Sequence, residues 1–204
     1  MPAELTAVEA EAFMGEVRSV SLHGATLASS VGPLMVDGAR ITRTDLSESR
    51  YARASLGDVT FSDCSLANAR WSEASLTRVT FQDCQMMGFD VNSSGLLDVQ
   101  FVRCKLSLSS FRFLTKAKVL FADCEMDGAD FHGVDLRGCQ FDRCTLTGAL
   151  FHEAKTEGVD LRDSSIMAAH GIGGLRGALI DHLQLLDLSE ALASYVGLVV
   201  EEKE

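Results

Sequence analysis

Large apolar residues recur at every fifth position over most of this chain. The series runs from Ile41 to Ile166, and only Lys116 and Thr156 in it are not apolar. A small or compact residue, such as Ala54, stands two positions before most members. An α-helix repeats at 3.6 residues and a strand at two, so neither sustains this period. The pattern predicts a repeat architecture with one large inward side chain in every five residues.

A second period, of twenty residues, is superimposed on the first. The segments VTFSDCSL, VTFQDCQM, VQFVRCKL and VLFADCEM begin at positions 59, 79, 99 and 119, and CQFDRCTL and VDLRDSSI follow at 139 and 159. Four five-residue units therefore make one coil of an all-β solenoid, whose coils stack about 4.8 Å apart through backbone hydrogen bonds. Stacking aligns like side chains and predicts one ladder of Phe61, Phe81, Phe101, Phe121 and Phe141.

Stretches such as GADFHGVDLRG (128–138) and GVDLRDS (158–164) contain a five-residue unit. Its positions are, in order, a small residue, then Asp, then Leu or Phe, then a variable residue and finally a small or polar one. This unit resembles that of the pentapeptide-repeat family, and the resemblance extends from about Val17 to Ile166. It implies a right-handed quadrilateral β-helix. We assign residues 17–170 to this β-helix, with a one-residue register slip in a loop at 29–34.

Both ends of the solenoid are predicted to be capped. Residues 1–16 form the N-terminal cap, because positions 3–14 favour a helix with one apolar face. Residues 171–204 form a capping and dimerisation segment, in which Asp181 caps a helix through Val196 and Gly197 stops it. The apolar stripe of this helix consists of Leu185, Leu188, Leu192, Tyr195 and Val196.

The composition narrows the class of partner. The formal net charge is −11, which disfavours direct nucleic-acid binding because that requires lysine and arginine to displace counterions. A basic protein or a DNA-binding site on a protein is the more natural partner. The chain has no run of 18 apolar residues and no basic, apolar leader at its start, so we expect a cytoplasmic protein without a membrane span.

All six cysteines occupy the small inward position, and five of them, from Cys64 to Cys144, recur at intervals of twenty. A metal array or redox relay is one interpretation. Plain packing is favoured, because buried thiols are protonated and inert and no CxxC spacing is present. His132 and His152 also stack, without an evident third ligand. We expect no metal and no cofactor.

No catalytic motif accompanies the repeat. The sequence has no GxSxG, no P-loop and no HExxH. The interior of such a coil holds only its own side chains, so we expect a protein that is not an enzyme.

The tail LRGALIDHLQLLDLSEALASYVGLVV (175–200) resembles the closing sequence of the Qnr and MfpA quinolone-resistance branch of the family. The resemblance implies a tail-to-tail homodimer whose acidic rod imitates duplex DNA and binds DNA gyrase or topoisomerase IV, with an effect on drug sensitivity. The repeat has no projecting insertion, which is closer to MfpA than to Qnr. The candidate partner-binding acids cluster near the C-terminal end, and they are Asp123, Glu125, Asp127, Asp130 and Asp135.

One coil, 101–120, departs from the repeat. It places Lys116 at an inward position and apolar residues such as Phe113 at outward ones, beside Lys118. One interpretation is local repacking, with Leu114 filling the core and Lys116 turned outward. The other is a projecting apolar and basic patch through which the protein, as a scaffold, binds another protein. Both interpretations stay open at this point.

Overall fold

The chain forms a right-handed quadrilateral β-helix, seen in a computed structural model that describes residues 3–6, 15–18 and 20–200. All strand pairings among the described residues are parallel, each strand pairing with a strand of an adjacent coil. The predicted fold class is confirmed. In this part of the chain, no helix combines the length and apolar character that a membrane span requires.

Strands form on two of the four faces, and single bridges join the coils on the other two. One strand face carries the inward phenylalanines from Phe61 to Phe141, and the other carries inward residues such as Leu56 and Leu76. The strands are β1 Ala3–Thr6, β2 Gly15–Arg18, β3 Val20–His23, β4 Leu34–Asp37, β5 Arg40–Thr42, β6 Ser55–Gly57, β7 Thr60–Ser62, β8 Ser75–Thr77, β9 Thr80–Gln82, β10 Gly95–Val102, β11 Lys116–Ala122 and β12 Gln140–Asp142.

The core is a set of stacked side-chain ladders. The rings of Phe81 and Phe101 lie 5.0 Å apart and nearly parallel, and the rings of Phe101 and Phe121 lie 5.2 Å apart. Phe111 meets Phe101 edge-on from the neighbouring column. Offset stacking within a column and edge contacts between columns are both favourable arrangements of aromatic rings. The predicted phenylalanine ladder therefore forms the centre of the protein.

Corners between faces are made by residues in the left-handed region of backbone conformation. Asp63 and Asp83, two positions after inward phenylalanines, both have φ near +54°. The amides of these two residues still donate to the next coil, from Asp63 N to the carbonyl of Gln82 at 3.1 Å and from Asp83 N to the carbonyl of Val102 at 3.0 Å. The hydrogen bond offsets part of the cost of this conformation for residues with a side chain.

The N-terminal part differs from the predicted helix. Ala3–Thr6 is strand β1, paired with Val20–His23, and strand β2 begins at Gly15. The helix prediction is wrong at Ala3–Thr6, because a strand that continues the ladder satisfies its backbone groups against the neighbouring coil. Residues 7–14 lie outside the described residues. The register slip falls between Val31, which pairs with a residue nineteen positions on, and Met35, which pairs with one twenty positions on.

The C-terminal segment covers the last coil. A 3₁₀ helix spans Ile172–Leu175, and the hydroxyl of Thr156 donates to the carbonyl of Gly174 at 2.8 Å. Helix α1, His182–Asp187, begins with the side chain of Asp181 accepting from the amide of Gln184. Helix α2, Ser189–Tyr195, follows after a break at Leu188, so the single predicted helix is two short ones.

Candidate partner-binding surfaces

The five candidate acids do not form one field. They belong to a single coil, and a coil passes around all four faces of the solenoid. Glu125 and Asp127 flank the inward Met126 on one face, whereas Asp130 lies on the next face and Asp135 on the one after it. Asp123 stands at the corner before Glu125. The structure therefore brings only Asp123, Glu125 and Asp127 together.

Three of the five acids are also paired with arginines. Arg143 Nε lies 2.7 Å from Asp123 Oδ1, Arg137 Nε lies 2.8 Å from Asp135 Oδ1, and Arg112 Nε lies 3.7 Å from Asp130 Oδ2. The hydrogen bonds from Arg137 lower the pKa of Asp135 to about 2. Among the described residues, Glu125 and Asp127 make no ion pair. These two are the acids of the set without an ion pair in this part of the chain, although Lys105 is the neighbour of Glu125 in the preceding coil.

Pairing of this kind is a general property of the corners. Acidic and basic residues twenty positions apart stand one coil apart in the same column, and they pair across the gap. The pairs are Asp58 with Arg78, Asp83 with Arg103, Asp98 with Lys118 and Asp123 with Arg143. Exposed pairs contribute little stability, but each pair cancels the charges of its own two residues. The aspartates that pair in this way therefore add no net negative charge to the sides of the rod.

The five residues of the predicted dimer stripe divide into two groups. Leu188 is only 2% exposed and Leu192 is half-buried, because both pack against the end of the solenoid. Gln184 joins them, and its Nε2 donates to the carbonyl of Leu161 at 2.6 Å. Leu185, Tyr195 and Val196 remain exposed. Leu188 therefore acts as a cap residue, and the interpretation of the stripe as one dimer face is wrong at that position.

A wider apolar surface lies at this end of the molecule. It includes Leu183, which is 71% exposed, and Leu186, which is 57% exposed, and it borders a recess of about 340 Å³ between Leu175, Ile180 and Leu192. Exposed apolar surfaces of this kind mark contacts with other proteins. We call the following residues the end surface: Leu179, Leu183, Leu185, Leu186, Tyr195, Val196, Leu198, Val199 and Val200.

Coil 101–120 shows both repacking and projection. Strand β11 is shifted by one residue, so that Ala117 rather than Lys116 lies opposite the inward Leu96, and Lys116 is exposed. Leu114 is buried at the small inward position. The shift removes the charge from the core, and Leu114 and Ala117 supply apolar volume in its place. The inward position of Lys116 that the period predicts is wrong.

The same shift interrupts the stacking on this face. The register between β10 and β11 changes after Leu97, and the pairing of β11 with the next coil begins only at Leu120. A recess of about 510 Å³ opens there, lined by Thr115, Lys116, Ala117, Asp135, Arg137 and Gly138.

Phe113 projects from the corner that precedes this recess. Its side chain is 47% exposed, and its ring meets His132 edge-on at 5.0 Å and the guanidinium of Arg112 at 5.3 Å. The residue above it is Gly133, where a Cβ would come within 2.7 Å of the ring. Glycine at this position therefore allows the ring to pack closely against the next coil. We call this group the corner patch: Phe113, Lys116, Lys118, Arg137 and Lys155.

The cysteine column is buried and fully reduced. All six thiols are free, and Cys104 Sγ donates to the carbonyl of Phe81 at 3.3 Å. Burial raises the pKa of the Cys139 thiol to about 12. Among the described residues, no group of three His, Cys, Asp or Glu side chains is placed to hold a metal ion. The burial of the cysteines agrees with a role in packing the core.

We expect the six thiols to resist modification in the folded protein. A thiol-reactive disulfide reagent at about pH 8 should label none of them within minutes, because burial makes all six thiols inaccessible to the reagent. Unfolding in guanidinium chloride should release all six for labelling. Rapid labelling of a native cysteine, followed by mass spectrometry of the peptides, would contradict this account.

The end surface is broader than the sequence prediction. Leu183, Leu186 and Leu198–Val200 were not among the predicted dimer residues. The sequence indicates these residues by apolar positions that lie outside the helical stripe. A helix that packs on the solenoid through the stripe alone does not require apolar residues there. The unpaired state of Glu125 and Asp127 was also missed, although the alternating signs of the corner columns indicated where pairs would form.

The sequence matches the family model described as "Pentapeptide repeat region" over residues 39–111 and 94–170. These two matches together cover well over half of the chain. Among curated protein sequences, none matches significantly.

Solved structures of similar proteins include a trypsin-treated variant of QnrB1, a plasmid-mediated fluoroquinolone resistance protein. It is 18% identical, with 96% of this chain and 95% of that chain covered and a TM-score of 0.41. HetL, a pentapeptide repeat protein involved in heterocyst differentiation regulation from the cyanobacterium Nostoc sp. strain PCC 7120, is 17% identical over 81% of this chain and 87% of its own, with a TM-score of 0.25. Rfr23 from the cyanobacterium Cyanothece 51142 is 18% identical over 52% and 64%, with a TM-score of 0.20.

Proposed function

Because the chain belongs to the pentapeptide-repeat family, we propose that it is a non-enzymatic protein-binding rod. Two copies join through their end surfaces, and the dimer binds DNA gyrase or topoisomerase IV at the site that normally holds DNA. Binding of this kind alters the activity of the topoisomerase or its sensitivity to drugs. The observation that carries the proposal is the end surface, since a monomer would leave nine apolar side chains in water.

The end surface supports self-association more than binding of an unrelated protein. A second copy presents the same residues and the same recess, so an isologous contact satisfies both sides at once. Capping of the last coil is already completed by Leu188, Leu192 and Gln184. The exposed leucines are therefore free for a partner.

The distribution of charge supports a restricted form of DNA mimicry. The protein has a net charge of −11, and the acids not paired in the last coils lie close to the proposed dimer junction. Glu125 and Asp127 on one face, together with Asp187 and Glu190 beside the end surface, would be duplicated across the axis. A field of this kind attracts a basic DNA-binding site and is weakened by salt.

We expect the purified protein to inhibit DNA supercoiling by gyrase. Glu125→Lys with Asp127→Lys should raise the concentration for half inhibition by about tenfold or more, because two unpaired negative charges become positive. Glu48→Lys with Asp63→Lys is the matched control, with the same change of charge far from the C-terminal end. It should stay within about threefold of the wild type.

Three results would count against the mimic. The first is the absence of both inhibition and gyrase binding at low ionic strength. The second is an equal loss of inhibition in the two double variants. The third is inhibition that does not weaken as salt is added. Binding to gyrase should be measured in parallel by surface plasmon resonance, and circular dichroism of each variant separates loss of contact from loss of folding.

A further inference from the structure

The corner patch lies away from the end surface and from the acids that carry the proposed function. It combines an exposed aromatic ring, a set of cations on one face and a recess produced by the break in stacking. We propose that the corner patch binds an acidic protein segment that carries an apolar side chain. The apolar side chain packs on Phe113, and the carboxylates lie beside Lys116 in the recess.

Phe113 supplies the apolar contact. It is almost half exposed, and its ring lies so close to the backbone of Gly133 that a Cβ there would come within 2.7 Å of it. Arg112 and His132 contact the ring and hold its position. An aromatic side chain with restricted movement is the type of residue that dominates protein interfaces, because little conformational entropy is lost on binding.

The cations select an acidic partner. Among the described residues, Lys116 and Lys155 make no ion pair, whereas Lys118 and Arg137 are paired with Asp98 and Asp135. Of the two cations that line the recess, Arg137 is paired with Asp135, which lines it too, and Lys116 makes no ion pair within the described part of the chain. Lys155 is the neighbour of Asp135 in its column, so the charge open to a partner at the recess is that of Lys116. A carboxylate of the segment can form a charge-assisted hydrogen bond with the ammonium group of Lys116 in place of water. A basic or neutral segment has no group that forms this bond with the same strength.

Lys105 offers a contrast within the same coil. It lies on a different face, with Glu125 directly above it in the same column. It therefore has a carboxylate neighbour in its column and lies away from the recess that Lys116 lines. The cation that an acidic segment would meet in this coil is Lys116.

The recess supplies the space. Its volume of about 510 Å³ is enough for one or two side chains, and Thr115, Lys116 and Arg137 form part of its wall. It exists because β11 lacks a partner in the next coil before Leu120. The binding position therefore follows from the irregular register of this coil.

The test uses the full chain, immobilised and presented with a random peptide display library. Enriched peptides should contain two or more Asp or Glu residues next to an aromatic or aliphatic residue. The most enriched peptide, synthesised with a fluorophore, is then titrated by fluorescence anisotropy. Phe113→Ser, Lys116→Glu and the milder Lys116→Ala should each weaken binding, by about tenfold or more for the first two.

Two exposed positions of the same coil serve as controls. Leu108 is 68% exposed and lies, like Phe113, at a corner beneath a glycine, so Leu108→Ser matches Phe113→Ser. Lys105→Glu matches Lys116→Glu. Binding within about twofold of wild type in both controls supports the proposal. Enrichment of no peptide or of basic peptides, or equal loss in variants and controls that remain folded by circular dichroism, would overturn it.

Discussion

Replacement of Phe101 by alanine is expected to lower the free energy of unfolding by about 3 to 5 kcal/mol, the usual cost of a buried phenylalanine. Phe101 is fully buried and stacks on Phe81 below and Phe121 above. The loss includes both the apolar surface and the cavity, because regular coils above and below cannot close onto it. Urea unfolding followed by circular dichroism measures the change.

Phe113→Ala is the internal control for this loss. The same side chain is removed, but from a half-exposed corner, and the expected cost is within about 1 kcal/mol. At both positions, 101 and 113, the backbone conformation is no less favourable for alanine than for phenylalanine. Equal destabilisation by the two variants would mean that the phenylalanine ladder is not the centre of the core. Because neighbouring coils stabilise one another, the unfolding curves should be fitted globally over several spectroscopic probes.

Leu183→Arg with Leu186→Arg is expected to convert the proposed dimer into a monomer. Both leucines are exposed on α1, and arginine is a good helix former, so the substitutions are accepted in the free chain. In the dimer, four arginines would face one another across the axis without partners. Light scattering should show a fall from twice the mass of the chain to a single mass of 22.0 kDa.

Met87→Arg with Leu108→Arg tests whether any added charge has this effect. These residues are similarly exposed but lie on the sides of the rod, and the variant should remain dimeric. Leu188→Arg is expected to behave differently from both, because it removes a buried cap residue and should lower stability instead. A wild-type protein that is monomeric at about 100 μM would contradict the proposed assembly.

The five-residue period was sufficient to predict the core. Its inward positions run from Ile41 through Phe111 to Ile166, and the structure buries all of them except Lys116. Each follows from stacking, because a coil that slipped by one residue would turn its apolar side chains to solvent. Even the polar Thr156 keeps its inward place, since its hydroxyl donates to the carbonyl of Gly174.

The predictions that failed have physical causes of three kinds. Ala3–Thr6 has the composition of a helix, but pairing with Val20–His23 satisfies its backbone in a strand, so tertiary contacts override local propensity. Lys116 is at an inward position by counting alone, and only the one-residue shift of β11 places Ala117 there instead. The helix predicted after Asp181 is divided at Leu188, where the backbone, with φ of −94° and ψ of 0°, departs from regular helical geometry.

The candidate acids show what a count of charges leaves out. Their position in one coil suggested a single field, but a coil turns through four faces within twenty residues. The pairs of Asp123 with Arg143 and Asp83 with Arg103 follow directly from the twenty-residue period. They could have been predicted by comparing columns instead of summing charge along the chain. The apolar positions of the end surface are visible in the sequence, but their exposure is not, because it depends on how α1 and α2 lie on the solenoid.

The interrupted stacking at β11 has a consequence for how the protein opens. In a solenoid each coil is held by its two neighbours, so local unfolding spreads until it reaches a weak junction. The junction between β11 and the following coil lacks part of its hydrogen bonding on one face. We therefore expect the amide protons on either side of it to exchange as two cooperative blocks, an N-terminal one and a shorter C-terminal one that carries the end surface. Dimerisation would slow hydrogen exchange mainly in the second block.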